Sequence, residues 1–83
     1  MMYRARIEVG LKPGHSDPEG EMTKQSLREL EYSVKSVGVS KVYEVHFEAS
    51  SEEEAEKLVD EMCRKLLANP NKDAYSFGIE EEK

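Results

Sequence analysis

Cysteine is almost missing from this chain of 83 residues: Cys63 stands alone, so no internal disulfide can staple the fold. Histidine is nearly as scarce, and His15 and His46 have no Cys or His neighbours at metal-ligand spacing. Long apolar runs are missing too. Nothing approaches the ~20 residues that a membrane-spanning helix needs, and the start Met1-Met2-Tyr3-Arg4-Ala5-Arg6 lacks the apolar stretch of a signal peptide. Basic residues are outnumbered, 12 Lys and Arg against 18 Asp and Glu, and a net charge of −6 repels phosphate backbones. The expectation is a cytoplasmic protein whose partners are neither nucleic acid nor membrane.

A domain of this size buries only roughly 60% of the surface that its unfolded chain exposes. With disulfide and metal both missing, self-association is the remaining supplement to stability, and a homodimer or homotetramer is expected.

What is present is alternation. Tyr3, Ala5, Ile7, Val9 and Leu11 share one parity, with Arg4, Arg6, Glu8 and Gly10 on the other, which predicts a half-buried strand. Lys12-Pro13-Gly14-His15-Ser16 breaks it, since Pro13 lacks a ladder donor. Asp17-Pro18-Glu19 then places a capping carboxylate before a proline suited to the first helical position. That predicts a weakly amphipathic helix, carrying Met22, Thr23, Leu27, Leu30 and Val34 and ending near Tyr32. Val37 and Val39 share a parity, and Tyr43, Val45, Phe47 and Ala49 resume the alternation, which fits two strands joined by a tight turn or one strand bent by a bulge at Gly38.

A second helix is expected from Ser51, which with Glu54 makes a capping box, through an apolar stripe of Ala55, Leu58, Val59, Met62, Cys63, Leu66 and Leu67. Glutamates fill its first turns and Arg64 and Lys65 its last, matching the helix dipole, and Asn69-Pro70 stops it. Tyr75, Phe77 and Ile79 predict a last strand before an acidic tail from about residue 80. The order βαββαβ predicts one domain over 1–83 of class α+β: a ferredoxin-like two-layer sandwich, with a four-stranded antiparallel sheet and both helices on one face. The second and fourth strands would be its open edges, able to pair with another chain.

No catalytic set emerges. His46 falls on the polar face of a strand and His15 in a loop, while Cys63 lies in the apolar stripe, where a free cysteine acts as a small hydrophobe. Arg4 and Arg6 share their face with Glu44, His46 and Glu48 rather than with the exposed aromatics of RNA-binding sheets, so cross-strand charge pairing is the reading they support. Lys12-Pro13-Gly14 has one glycine, a proline and no Lys-Ser/Thr, so it is not a phosphate loop.

The run Glu61-Met62-Cys63-Arg64-Lys65-Leu66-Leu67-Ala68-Asn69-Pro70, followed by Tyr75, resembles the signature helix end of PurS, the small accessory subunit of phosphoribosylformylglycinamidine (FGAM) synthase. Leu11-Lys12-Pro13-Gly14 with Asp17-Pro18-Glu19-Gly20 is similar to the family's Leu-Lys-Pro-Gly and Asp-Pro-x-Gly, and Ser51 to Glu56 matches its Ser-x-Glu-Glu-Ala segment. The chain departs from the pattern at Leu30-Glu31-Tyr32, where the family usually has Leu-Gly-Tyr, at Gly38-Val39-Ser40-Lys41 in place of Arg-x-Gly-Lys, and at Asn71-Lys72 in place of apolar residues.

The resemblance implies a non-catalytic bridging role in de novo purine biosynthesis. A PurS homodimer would join the ATP-dependent synthetase subunit to the glutaminase subunit and support ammonia transfer. It also implies no cofactor on this chain, with ATP, Mg and glutamine handled by the larger subunits of the ligase. The motif residues Lys12, Pro13, Gly14, Asp17, Pro18, Gly20, Asn69, Pro70 and Tyr75 are then the candidate partner contacts. The competing reading is a self-standing ferredoxin-like regulatory module that binds a small ligand between subunits.

Overall fold

A computed structural model describes residues 1–83. The elements are β1 (Met2–Leu11), α1 (Pro18–Glu29), β2 (Lys41–Glu48), α2 (Glu52–Met62), a π-helical segment (Cys63–Leu67) and β3 (Asp73–Glu82). The class is α+β, with β1 at the centre of an antiparallel sheet of order β2-β1-β3. Register places Ile7 between Tyr43 and Phe77, and Ala5 between Val45 and Ile79, so the apolar parities of all three strands fall on one face.

The sheet has three strands, not four. Residues 33–40 form neither a strand nor a hairpin. They run back beside α1, and Val39 donates its backbone N–H to the Asp17 carboxylate at 3.0 Å, where a ladder carbonyl would otherwise have served. The sheet edges are therefore β2 and β3; the last strand takes an edge as expected, and residues 37–39 form none. β3 also runs further than its apolar residues suggest. Glu80 to Glu82 are part of it, paired with Arg4, Tyr3 and Met2, because ladder hydrogen bonds do not depend on apolar side chains.

The helices do not lie together on one face. α2 covers the sheet, burying Ala55, Val59 and Cys63 against Tyr3, Ala5, Ile7 and Val9, whereas α1 contributes no residue to either apolar cluster and buries only Gly20. The α1 start is as its sequence dictates, with Asp17 capping Gly20 N–H at 2.9 Å and Pro18 following. Its end is a Schellman turn: Tyr32 N–H reaches Leu27 O, Glu31 N–H reaches Arg28 O, and Glu31 takes φ 72°. That left-handed position is the one the family pattern fills with glycine.

At α2 the Ser51 hydroxyl accepts from Glu54 N–H at 3.1 Å, but the Glu54 carboxylate returns to Ser50, not to Ser51, so the capping box is closed one residue upstream. The apolar stripe is also modified at its end. Ala68 N–H bonds Cys63 O, an i to i+5 closure that widens the turn, so that Leu67 and Ala68 follow Cys63 onto the sheet and Leu66 is turned out, 82% exposed. Leu66 is therefore not core.

Candidate functional site

Three of the sequence motifs meet at one end of the sheet. β1 ends at Leu11, and Lys12 turns to the loop before β3: its N–H donates to Lys72 O at 2.7 Å and its ammonium to Pro70 O at 2.8 Å. Gly14, at φ 89°, allows the reversal that leads to Asp17. On the far side, the Asn69–Asp73 turn is held by its own side chains, with Asn69 N–H on Asp73 Oδ2 and Asn71 N–H on Asn69 Oδ1. Between these loops lies a shallow groove of about 320 Å³, bordered by Leu11, Asp17, Pro18, Val39, Leu67 and Lys72.

Asp17 organises this end. Its carboxylate receives the Gly20 N–H and the Val39 N–H, which hold it below the usual carboxylate range. Gly20 is needed for the approach: a Cβ there would lie 2.4 Å from Val37 O and 2.8 Å from Asp17 Oδ2. Of the nine candidate contacts, Lys12, Pro13, Gly14, Asn69 and Pro70 are exposed at this end, and Asp17, Pro18 and Gly20 sit beside them at the foot of α1. Tyr75 is not among them. It points to the covered face of the sheet, and its hydroxyl donates to Asp60 Oδ1 on α2.

Sequence reasoning missed Val39, Lys72 and Asp73 as parts of this end. The Asn-Pro-Asn-Lys-Asp composition of 69–73 is a turn signal that points to the last two; nothing local marks Val39, whose partner is 22 residues away.

The open face of the sheet is a second polar surface. Arg4 pairs with Glu80 and His46 bridges Glu82 and Glu44, while Arg6 stands opposite Glu44 and Gly78. The expected pairing of opposite charges is present, though Arg4 takes its partner from the last strand. The contact with Glu82, then that with Glu44, raises the His46 pKa. The cleft over this face is lined by Arg4, Arg6, Glu8, Glu44 and Glu80, and holds no aromatic stacking pair. No group of three or more His, Cys, Asp or Glu residues is placed to hold a metal ion, and no helix is long and apolar enough to cross a membrane.

What these surfaces provide is loops, edges and paired charges on a small α+β layer, the equipment of a protein-interaction module. The PurS family model, "Phosphoribosylformylglycinamidine (FGAM) synthase", matches residues 4–81, and the chain belongs to that family. It is 49% identical over 74 residues to the phosphoribosylformylglycinamidine synthase subunit PurS of Archaeoglobus fulgidus, covering 88% of this chain and 92% of the relative. PurS of Methanocaldococcus jannaschii, one of the subunits of formylglycinamide ribonucleotide amidotransferase in the purine biosynthetic pathway, superposes with a TM-score of 0.85 at 34% identity over 98% of this chain and 99% of that one. A chain of the PurLQS structure from Thermotoga maritima fits with a TM-score of 0.87 at 28% identity, over 96% and 99%.

Proposed function

We propose that this chain is the small, non-catalytic subunit of FGAM synthase in de novo purine biosynthesis, acting in the cytoplasm as a homodimer or homotetramer. It joins the ATP-dependent synthetase subunit to the glutaminase subunit and supports the passage of ammonia between them, while ATP, Mg and glutamine are used by the larger subunits. The observation that carries the reading is the near full-length likeness to a chain of the Thermotoga maritima PurLQS structure.

The end of the sheet built from Lys12-Pro13-Gly14, Asp17-Pro18, Gly20 and Asn69-Pro70 is the surface offered to the larger subunits. Its loops are stiffened by the Lys12–Pro70 and Asn69–Asp73 bonds, which lowers the ordering cost of docking. Tyr75 stands apart from these loops, with its hydroxyl bonded to Asp60 on α2.

Reconstitution with the synthetase and glutaminase subunits tests the assignment. Glutamine-dependent FGAM formation should require this chain, and the isolated chain should turn over neither ATP nor glutamine. Full glutamine-dependent activity without it, or failure to co-elute with both subunits, overturns the proposal. Thermal stabilisation of the isolated chain by a small ligand, with no co-elution, would favour the regulatory module instead.

A further inference from the structure

The acidic end of β3 stays on the sheet without burying anything apolar. Glu80, Glu81 and Glu82 are exposed, and neither apolar cluster includes them. Glu80 and Glu82 share the open face, two residues apart, so their charges repel.

Two cations on that face oppose the repulsion. Arg4, directly across from Glu80 in the register, forms an ion pair with it. His46 comes from the other edge of the sheet: in the order β2-β1-β3 it reaches over the central strand to Glu82. The two edge strands are thus clasped to one another by side chains above β1.

Both nitrogens of the His46 ring face carboxylates, Nδ1 at 2.5 Å from Glu82 Oε1 and Nε2 at 3.3 Å from Glu44 Oε1. An ionised carboxylate only accepts, so the two contacts need two N–H donors, and imidazolium alone has both. Either neutral tautomer sets a lone pair against one carboxylate and removes the attraction to both.

The surroundings decide which carboxylate moves. Around the ring stand Glu44 and Glu48 on β2, Glu80 and Glu82 on β3, and Arg4 directly opposite on β1, its charge taken by Glu80. Arg6 lies across from Glu44, whereas Glu82 is across from Met2 and is followed only by Lys83. α2 packs on the other face, and the Met1 α-amino group lies toward its Glu54. Glu44 is therefore held within its strand beside a second cation, and Glu82, at a strand end, has His46 alone.

The geometry points to a proton-operated clasp: imidazolium at His46 holds residues 81–83 on the sheet, and loss of its proton frees them, with Glu80 as the hinge. Arg4 keeps Glu80 in place because a guanidinium does not titrate. The contacts with Glu82 and Glu44 raise the His46 pKa. The clasp is therefore closed below the ordinary value near 6.5 and opens as pH rises through the folded one.

The test is 13C-detected NMR on the full labelled chain from pH 5.5 to pH 9. At pH 5.5 the Cα and Cβ shifts of Glu81 and Glu82 should be those of a strand. They should move to random-coil values by pH 9, with the midpoint of the His46 ring's own titration, while Ile79 and Glu80 keep strand values. His46→Gln should leave residues 81–83 free at every pH in this range, and Glu82→Gln should lower the His46 midpoint. Strand shifts that persist at pH 9 or in His46→Gln overturn the clasp. So does a segment already free at pH 5.5, a midpoint unlike that of His46, or a His46 midpoint unmoved in Glu82→Gln.

Discussion

The Tyr75 hydroxyl donates to the Asp60 carboxylate at 2.6 Å, and this contact joins the last strand to the second helix at the point where that helix widens. The Asp60 carboxyl is held below its usual range, first by Tyr75 and then by Arg64, whose Nε lies 2.8 Å from the other oxygen. A group whose folded pKa is depressed adds stability above its unfolded value, and that stability is lost as pH falls through the folded one. Tyr75→Phe should therefore lower the melting temperature at pH 7, with a difference from the parent that shrinks below pH 4. Paired melts across that range check it; a constant difference would show that the hydroxyl acts by packing and not through the carboxylate.

Gly20→Ala should destabilise the base of α1. Its Cβ meets a backbone carbonyl at 2.4 Å, which cannot move like a flexible side chain, so a loss of about 1–3 kcal/mol is expected from overpacking. Urea titration measures it.

Glu31→Gly should do the reverse. An L-residue in the left-handed region costs roughly 1–2 kcal/mol, partly offset in glycine by its greater freedom when unfolded, so a net gain of about 0.5–1 kcal/mol is expected. The motivating observation is φ 72° at Glu31 in a Schellman turn. No gain in the urea midpoint would mean that the turn relaxes in solution.

Ile7→Ala and Leu66→Ala form a paired test of the core. Ile7 is fully buried at the centre of the sheet, and its truncation should cost about 2–5 kcal/mol. Leu66 is turned out by the π-helical segment and should cost no more than about 0.5 kcal/mol in the isolated chain. Equal losses would place Leu66 against the core and remove the widened turn.

His46 makes a contribution of the opposite pH sign from Asp60. Its pKa is raised, first by the hydrogen bond from its Nδ1 to Glu82 and then by the charge of that carboxylate. A raised pKa adds stability below the unfolded value near 6.5, and this is lost as pH rises through the folded value. The melting temperature of His46→Gln should therefore fall below that of the parent at pH 5.5 and match it at pH 9.

The local elements are legible in the residues alone. Alternation of aromatic and β-branched residues with polar ones specified β1, β2 and β3, since side chains on a strand repeat every two residues. Asp17-Pro18 and Ser51 marked both helix starts through backbone donors that lie within three residues of them. The Lys-Pro-Gly and Asn-Pro loops, and with them the family, were also legible there. Relations over longer separations emerge only in the folded chain. The parity of Val37 and Val39 suits a strand, but Asp17, distant in the chain, takes the Val39 donor and sends α1 away from the sheet. The acidic end of β3 has no apolar pattern to announce it, yet it pairs with β1 because backbone groups find partners regardless of side chain. A π-helical closure at Ala68 shifts the helical phase by one residue and exposes Leu66. Periodicity reports which face a residue takes within its own element; which neighbour covers that face depends on contacts that no local window contains.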